Sequence, residues 1–273
     1  MTKKILKWVF MALVIAFLYA PILILTVYSF TDSTQIGAIR SFSLQNYATL
    51  FTTGELLSMI GGTFALAFAA AAIATLLGTI GAIGSFYSKK RVKGFIYVMN
   101  QIPVVNADVV TAFSLCILLV IILGISKDTF IPLITGHVTL CAPFVYLSVL
   151  PKLKQMDPST YEAALDLGAS PFQALIKVVI PQIASGIGSG FMLSVTLSLD
   201  DYFISTYTKP ATFDTISTYV VNATKGSQTD IKTALWALSA VIFILVVLVV
   251  VIMNVRADKK HKDFAAGLTA IRR

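Results

Sequence analysis

Apolar residues in this chain do not alternate with polar ones to give a single buried face; they run on. Windows at 8–30, 60–87, 102–123, 130–150, 183–207 and 234–254 are close to continuously apolar, with short polar segments between them. A bilayer core about 30 Å thick needs about 20 helical residues, so each window is long enough to cross. The pattern predicts an all-α integral membrane protein with about six transmembrane helices, forming one domain over residues 1–273. The first window follows Lys3, Lys4 and Lys7 as a secretory signal would, but it runs about 23 residues with no small-residue cleavage site behind it. It reads as a retained helix. Gly78, Gly81 and Gly84 recur every three residues in the second window, and Gly186 and Gly190 lie four apart in the fifth. Such spacing lets helix backbones approach closely.

Composition agrees with the pattern. Hydrophobic residues make up 57% of the chain and charged residues 12%, about half the charged share of a soluble domain. Mean hydropathy is +0.85, which excludes a water-soluble surface. The net charge of +8 does not indicate nucleic acid, because the basic residues sit in short runs between apolar windows. With the N-terminus inside, the cytoplasmic segments hold Lys3, Lys4 and Lys7, then Lys89, Lys90, Arg91 and Lys93, then Lys152, Lys154 and Lys177, then Arg256, Lys259, Lys260, Lys262, Arg272 and Arg273. The opposite side keeps only Arg40, Lys127, Lys209, Lys225 and Lys232. Both termini are therefore expected in the cytoplasm.

Candidate chemistry is sparse. No G-x-x-x-x-G-K-[ST] string occurs, so any ATP the system uses is expected on a partner. Cys116 and Cys141 fall inside apolar windows as small core residues, and His137 and His261 are remote from each other and from a second type of ligand. No catalytic residue, metal ligand or bound cofactor is expected in this chain.

The segment 151–181 has a different texture, too polar to span and well punctuated. Asp157 is an N-cap with Pro158 at the first helical position, Glu162 lies near the positive end of the helix dipole, and Gly168 can take the left-handed conformation that ends a helix. Ser170 and Pro171 repeat the start signal, so a second helix is expected through 172–179 before Pro181 restarts the chain into the membrane. On the first helix Glu162 and Asp166 share a face, while Tyr161, Ala164 and Leu165 form an apolar side. That side could cap the bundle or dock in a groove of another protein.

The string E-A-A-L-D-L-G-A-S at 162–170, with nine residues intervening between Gly168 and the run Val178, Val179, Ile180 and Pro181, resembles the EAA loop of ABC importer permeases. Val178 and Ile180 depart mildly from the family's I-x-L-P ending. S-L-Q-N-Y-A-T-L-F at 43–51 and T-L-S-L-D-D-Y at 196–202 are similar to the PotC-type permeases of spermidine/putrescine importers. The resemblance implies a type I, MetI-like permease of the bacterial inner membrane, translocating polyamines. It implies that Glu162, Ala163, Ala164, Asp166, Gly168, Ala169, Ser170 and Pro181 form the element that couples to the ATPase. The implied partners are a homologous PotB-like permease, two PotA-like ATPases that bind ATP and Mg, a PotD-like external solute-binding protein and membrane lipid.

Carboxylates inside apolar windows need a reason, since each costs about 2.5 to 3.5 kcal/mol at a span centre. Asp108 lies early in the third window, past Pro103 and Asn106; Asp200 and Asp201 lie late in the fifth. Read as one continuous helix, Ser194, Ser198, Asp201 and Ser205 make a polar stripe expected to face water. Asp200 then shares its side with Thr196, Phe203 and Tyr207, and Tyr202 adjoins the pair. Carboxylates and aromatic rings together suit an alkylammonium cargo. The pair could instead cap the external helix end, or form an ion pair with Lys209. The alternatives are an ABC permease for another solute, such as iron, an amino acid-like molecule or another organic cation, and, behind it, an ion-coupled secondary transporter using Asp108 and the aspartate pair. An intramembrane enzyme would need a nucleophile with a base, or clustered metal ligands, and neither is legible.

Overall fold

The computed structural model describes residues 2–32, 41–157, 159–225 and 233–244. Arg40, Pro158, Lys232, His261, the second half of the sixth window and the basic cluster from Arg256 to Arg273 lie outside the described residues. Among the described residues the chain is all-α, with one isolated bridge between Thr31 and Phe42. It divides into two compact units, residues 1–57 with 222–273, and residues 58–221.

In the first unit, α1 (Thr2–Ser29) exposes apolar side chains on nearly every face, Trp8, Phe10 and Phe17 among them. A helix apolar all round suits a membrane span. Its end is tied down by α2 (Gln45–Thr52). Asn46 Nδ2 donates to the Ser29 and Thr31 carbonyls at 3.1 and 2.9 Å, and Ser29 Oγ lies 2.9 Å from Tyr47 OH. Tyr28 meets Trp236 edge-on at 5.7 Å; Trp236 belongs to α12, the helix at 233–244 that opens the sixth window.

The second unit is organised around α6 (Phe130–Gln155), which is apolar and largely enclosed. Helices α3 (Gly54–Tyr87) and α9 (Ile180–Asp200) press onto it through glycine. A Cβ on Gly78 would stand 2.7 Å from the Ala142 carbonyl, and one on Gly190 would stand 3.1 Å from Val145 Cα. Two of the five glycines marked as packing positions play no such part, since Gly81 meets only Tyr146 at 3.9 Å and Gly84 meets open space. Ser85 and Tyr146 hydroxyls bond at 2.9 Å inside the apolar cluster of Val145, Val149, Leu153, Val179 and Ile183.

Two windows expected as single spans are broken. The third becomes α4 (Lys90–Val105) and α5 (Asp108–Cys116), bent by 105°. Asn106 and Ala107 are extended, Asn106 Nδ2 turns to Thr111 Oγ1 at 3.2 Å, and Asp108 opens the next helix at its positive end. Asn and Asp compete with the backbone for hydrogen bonds, which favours such a break over helix continuation. A π-helical turn, Ile117–Ile122, follows α5. The fifth window stops at Asp200 and resumes as α10 (Phe203–Thr208). Among the described residues four helices are long and apolar enough to cross a membrane, or five if the bent pair is one span, and α12 is a shorter apolar helix at the start of the sixth window.

Candidate coupling loop and substrate pathway

The loop after α6 is built by local capping. Asp157 Oδ1 accepts from the Ser159 amide at 3.0 Å and hydroxyl at 2.8 Å, at the head of α7 (Ser159–Asp166). The Ser159 hydroxyl, and then its amide, hold Asp157 below the usual carboxylate range. At the other end Gly168 has φ +86°, its amide donates to Leu165 O at 2.9 Å, and the Ala169 amide donates to Ala164 O at 3.0 Å. This double bond to the last turn needs a left-handed residue, and glycine takes that conformation without strain. Ser170 and Gln173 then bond each other's backbone amides at 3.3 and 3.1 Å, starting α8 (Pro171–Ala174) with Pro171 at its first position.

The second helix does not end before the membrane, as Pro181 had suggested. A π turn, Leu175–Val179, joins α8 to α9, giving one helix over Pro171–Asp200. Proline at the second position of α9 lacks only a donor that the widened turn already leaves out of register. Part of the apolar side of α7 caps the bundle. Tyr161 packs on the α6 cluster and on Tyr87 at 5.2 Å, with Ala164 and Leu165 half-buried. The loop instead exposes Glu162, Ala163, Asp166, Gly168, Ser170, Pro181 and Leu167, the last 90% exposed, with Ala169 half-buried. Phe172 beside them is also exposed.

The aspartate pair is split by the end of α9. Asp200 is the last helical residue and is exposed, with Thr196 exposed one turn before it. Asp201 is extended, 8% exposed, and caps α10: its Oδ1 accepts from the Ile204 amide at 3.2 Å and its Oδ2 from the Ser205 amide at 2.7 Å. The stripe of Ser194, Ser198, Asp201 and Ser205 does come together, but it faces protein rather than water, because each of the four is buried. Ser198, Asp201 and Ser205 face His137 of α6, fully buried, while Ser194 lies against Cys141, whose Sγ donates to its carbonyl at 3.4 Å. The ring's Nδ1 lies 2.8 Å from Ser198 Oγ, its Nε2 lies 3.1 Å from Ser205 Oγ, and Nε2 stands 3.7 Å from Asp201 Oδ2. Sequence reasoning missed His137. The criterion that flagged the three aspartates, an ionisable side chain in an apolar window, would have found it.

Other groupings change with the break. Phe203 is exposed and meets Tyr202 edge-on at 5.3 Å beside Asp200 in sequence, whereas Tyr207 turns onto α5, 5.7 Å from the Phe113 ring. The expected shared side of Asp200, Phe203 and Tyr207 assumed an unbroken helix, and the extended residue removes that phase. Lys209 pairs with Asp214 at 2.8 Å, not with the aspartate pair. Asp108 is exposed at the start of α5. A cavity of about 190 Å³ is lined by Lys127, Asp128, Thr206 and Lys209, and one of about 290 Å³ by Lys152, Gln155, Gln182 and Ser185.

Residues 74–263, which hold the coupling loop and the split pair, match the family described as binding-protein-dependent transport system inner membrane component. The chain belongs to this family. Among curated relatives, this permease is 31% identical over 263 residues to the spermidine/putrescine transport system permease protein PotC of Escherichia coli K12, covering 96% of this chain and 97% of that one. To PotC of Haemophilus influenzae it is 32% identical over 265 residues, with coverage of 96% and 99%. To the putrescine transport system permease protein PotI of E. coli K12 it is 34% identical over 197 residues, 70% of each chain. In fold the permease is similar to a chain of a bacterial alginate ABC transporter crystallised with an alginate pentasaccharide-bound periplasmic protein, with a TM-score of 0.66 at 20% identity, covering 90% and 92% of the two chains.

Proposed function

We propose that this permease subunit carries polyamines into the cytoplasm in an ATP-driven importer. The observation that carries the cargo is similarity over 96% of the chain to permeases named for spermidine and putrescine. The site supports it chemically. Asp200 stands exposed at a helix end, with Tyr202 and Phe203 following after Asp201. A carboxylate offsets the hydration lost by an ammonium group, and ring faces attract cations and contact methylenes. Asp108 is a second exposed carboxylate at a helix start.

The chain pairs with a homologous permease, two ATPases and an external binding protein, with both termini in the cytoplasm as the Lys and Arg distribution favours. The exposed side of α7 and the turn after it, Glu162, Ala163, Asp166, Leu167 and Gly168, seat in the ATPase. Closure of the ATPases moves that seat and turns the spans from inward-open to outward-open. The test is uptake of labelled putrescine and spermidine by a transport-deficient cell supplied with all subunits, with amino acids and iron as competitors. Competition by polyamines alone is expected. If unlabelled polyamines leave uptake unchanged, the cargo is rejected and family membership stands.

A further inference from the structure

The break between α9 and α10 is held from outside as well as by its own cap. Ser217 Oγ, at the start of α11 (Ile216–Lys225), donates to the Asp201 carbonyl. From the opposite element, α6, the His137 ring reaches Ser198 before the break and Ser205 after it. The bond directions follow from the carboxylate. Ser205 Oγ donates to Asp201 Oδ2 at 3.0 Å, so it accepts from His137 Nε2–H, and in a neutral imidazole that leaves Nδ1 to accept the Ser198 hydroxyl proton. The Nε2–H tautomer thus closes an unbroken relay of donors from Ser198 to Asp201. Every polar atom of the imidazole is used, and both bonds go to residues flanking the elbow rather than to α6 itself.

We infer that His137 is a positioning residue for transport: by fixing the segment before the elbow to the segment after it, the ring sets the direction in which Asp200, Tyr202 and Phe203 are presented. This rests on the pathway reading of Asp200 above. A histidine that merely fills space would need no such paired geometry, and an apolar ring of equal size would serve as well.

The test separates placement from cargo. In the assembled importer, purified in detergent so that the reagent reaches both membrane faces and with Cys116 and Cys141 replaced by alanine, a cysteine substituted for Asp200 is labelled with a cationic thiosulfonate, and one substituted for Ser185, near the other end of α9, serves as control. His137→Phe, which keeps the ring but not its bonds, and Ser205→Ala should each change the labelling rate at position 200 by about threefold to tenfold, the factor that one or two hydrogen bonds are worth. The rate at position 185 should not move. Ser198→Ala, which removes a single bond, replaces either variant if it fails to accumulate. Unchanged labelling at 200, or equal changes at 200 and 185, overturns the inference, because the ring would then be inert filler or general support. Asp200→Asn with parental uptake would sink the pathway reading alone, since labelling reports placement whatever passes the site.

Discussion

Gly136 of α6 lies so close under Ile204 of α10 that a Cβ on the glycine would stand 2.5 Å from Ile204 Cγ2. Ile204 is also the residue whose amide Asp201 caps. Close approach of α6 and the elbow is therefore part of what holds Asp201 inside. Gly136→Ala is expected to push α10 outward and to lower stability by about 1–3 kcal/mol, the usual cost of overpacking. Thermal unfolding of the purified protein in detergent checks this, and an unchanged midpoint would show that α10 yields freely.

The two aspartates are expected to fail differently. Asp201→Asn leaves one acceptor oxygen for the Ile204 and Ser205 amides and sets a donor against one of them, which should cost about 1–3 kcal/mol and reduce the amount of assembled protein. Asp200→Asn should leave the unfolding midpoint within about 0.5 kcal/mol of the parent, as exposed substitutions do, and lower polyamine uptake. Measuring midpoint and uptake for both variants decides; the reverse assignment of effects would refute the split.

At Gly168 space is not the constraint, since nothing lies within 4 Å of an added Cβ; the backbone is, at φ +86°. Gly168→Val should therefore cost about 1–2 kcal/mol locally and disorder the turn, while Gly168→Asn, which tolerates the left-handed region, should lose less. The measurement is stimulated ATP hydrolysis by the full complex. Equal hydrolysis by the valine variant and the parent would mean that the turn does not transmit force.

Leu167 presents a large apolar side chain at 90% exposure, beside Ala163 and Phe172. Leu167→Glu is expected to leave the permease folded and to strip the ATPase from it on co-purification, by burying a charge in the seat. Retention of the ATPase at parental stoichiometry would place the contact elsewhere.

The coupling loop could be read in advance because its determinants are short-range. Asp157, Gly168, Ser170 and Pro171 each act within four residues of themselves, and the structure uses Asp157, Gly168 and Ser170 as caps. Existence of the spans was legible for a similar reason, being a matter of length and apolarity. The elbow was not. Part of what holds the break at Asp201 is distant in sequence: His137 lies 61 residues before Ser198 and 68 before Ser205, and periodicity carries no information about such a partner. Asp201 followed closely by the start of a new helix is an N-cap signal in its own right, but the unbroken apolar run from 183 to 207 outweighed it.

Because a widened turn welds the cytoplasmic-loop helix to the span that follows, Pro171 and Asp200 are the two ends of a single rod of 30 residues. At about 1.5 Å per residue the rod is about 45 Å long, and a tilt of about 10° about one end would swing the other sideways by about 8 Å. If the loop end seats in an ATPase as proposed, a small rocking there would become, by leverage alone, a displacement of several ångströms where the carboxylate of Asp200 stands.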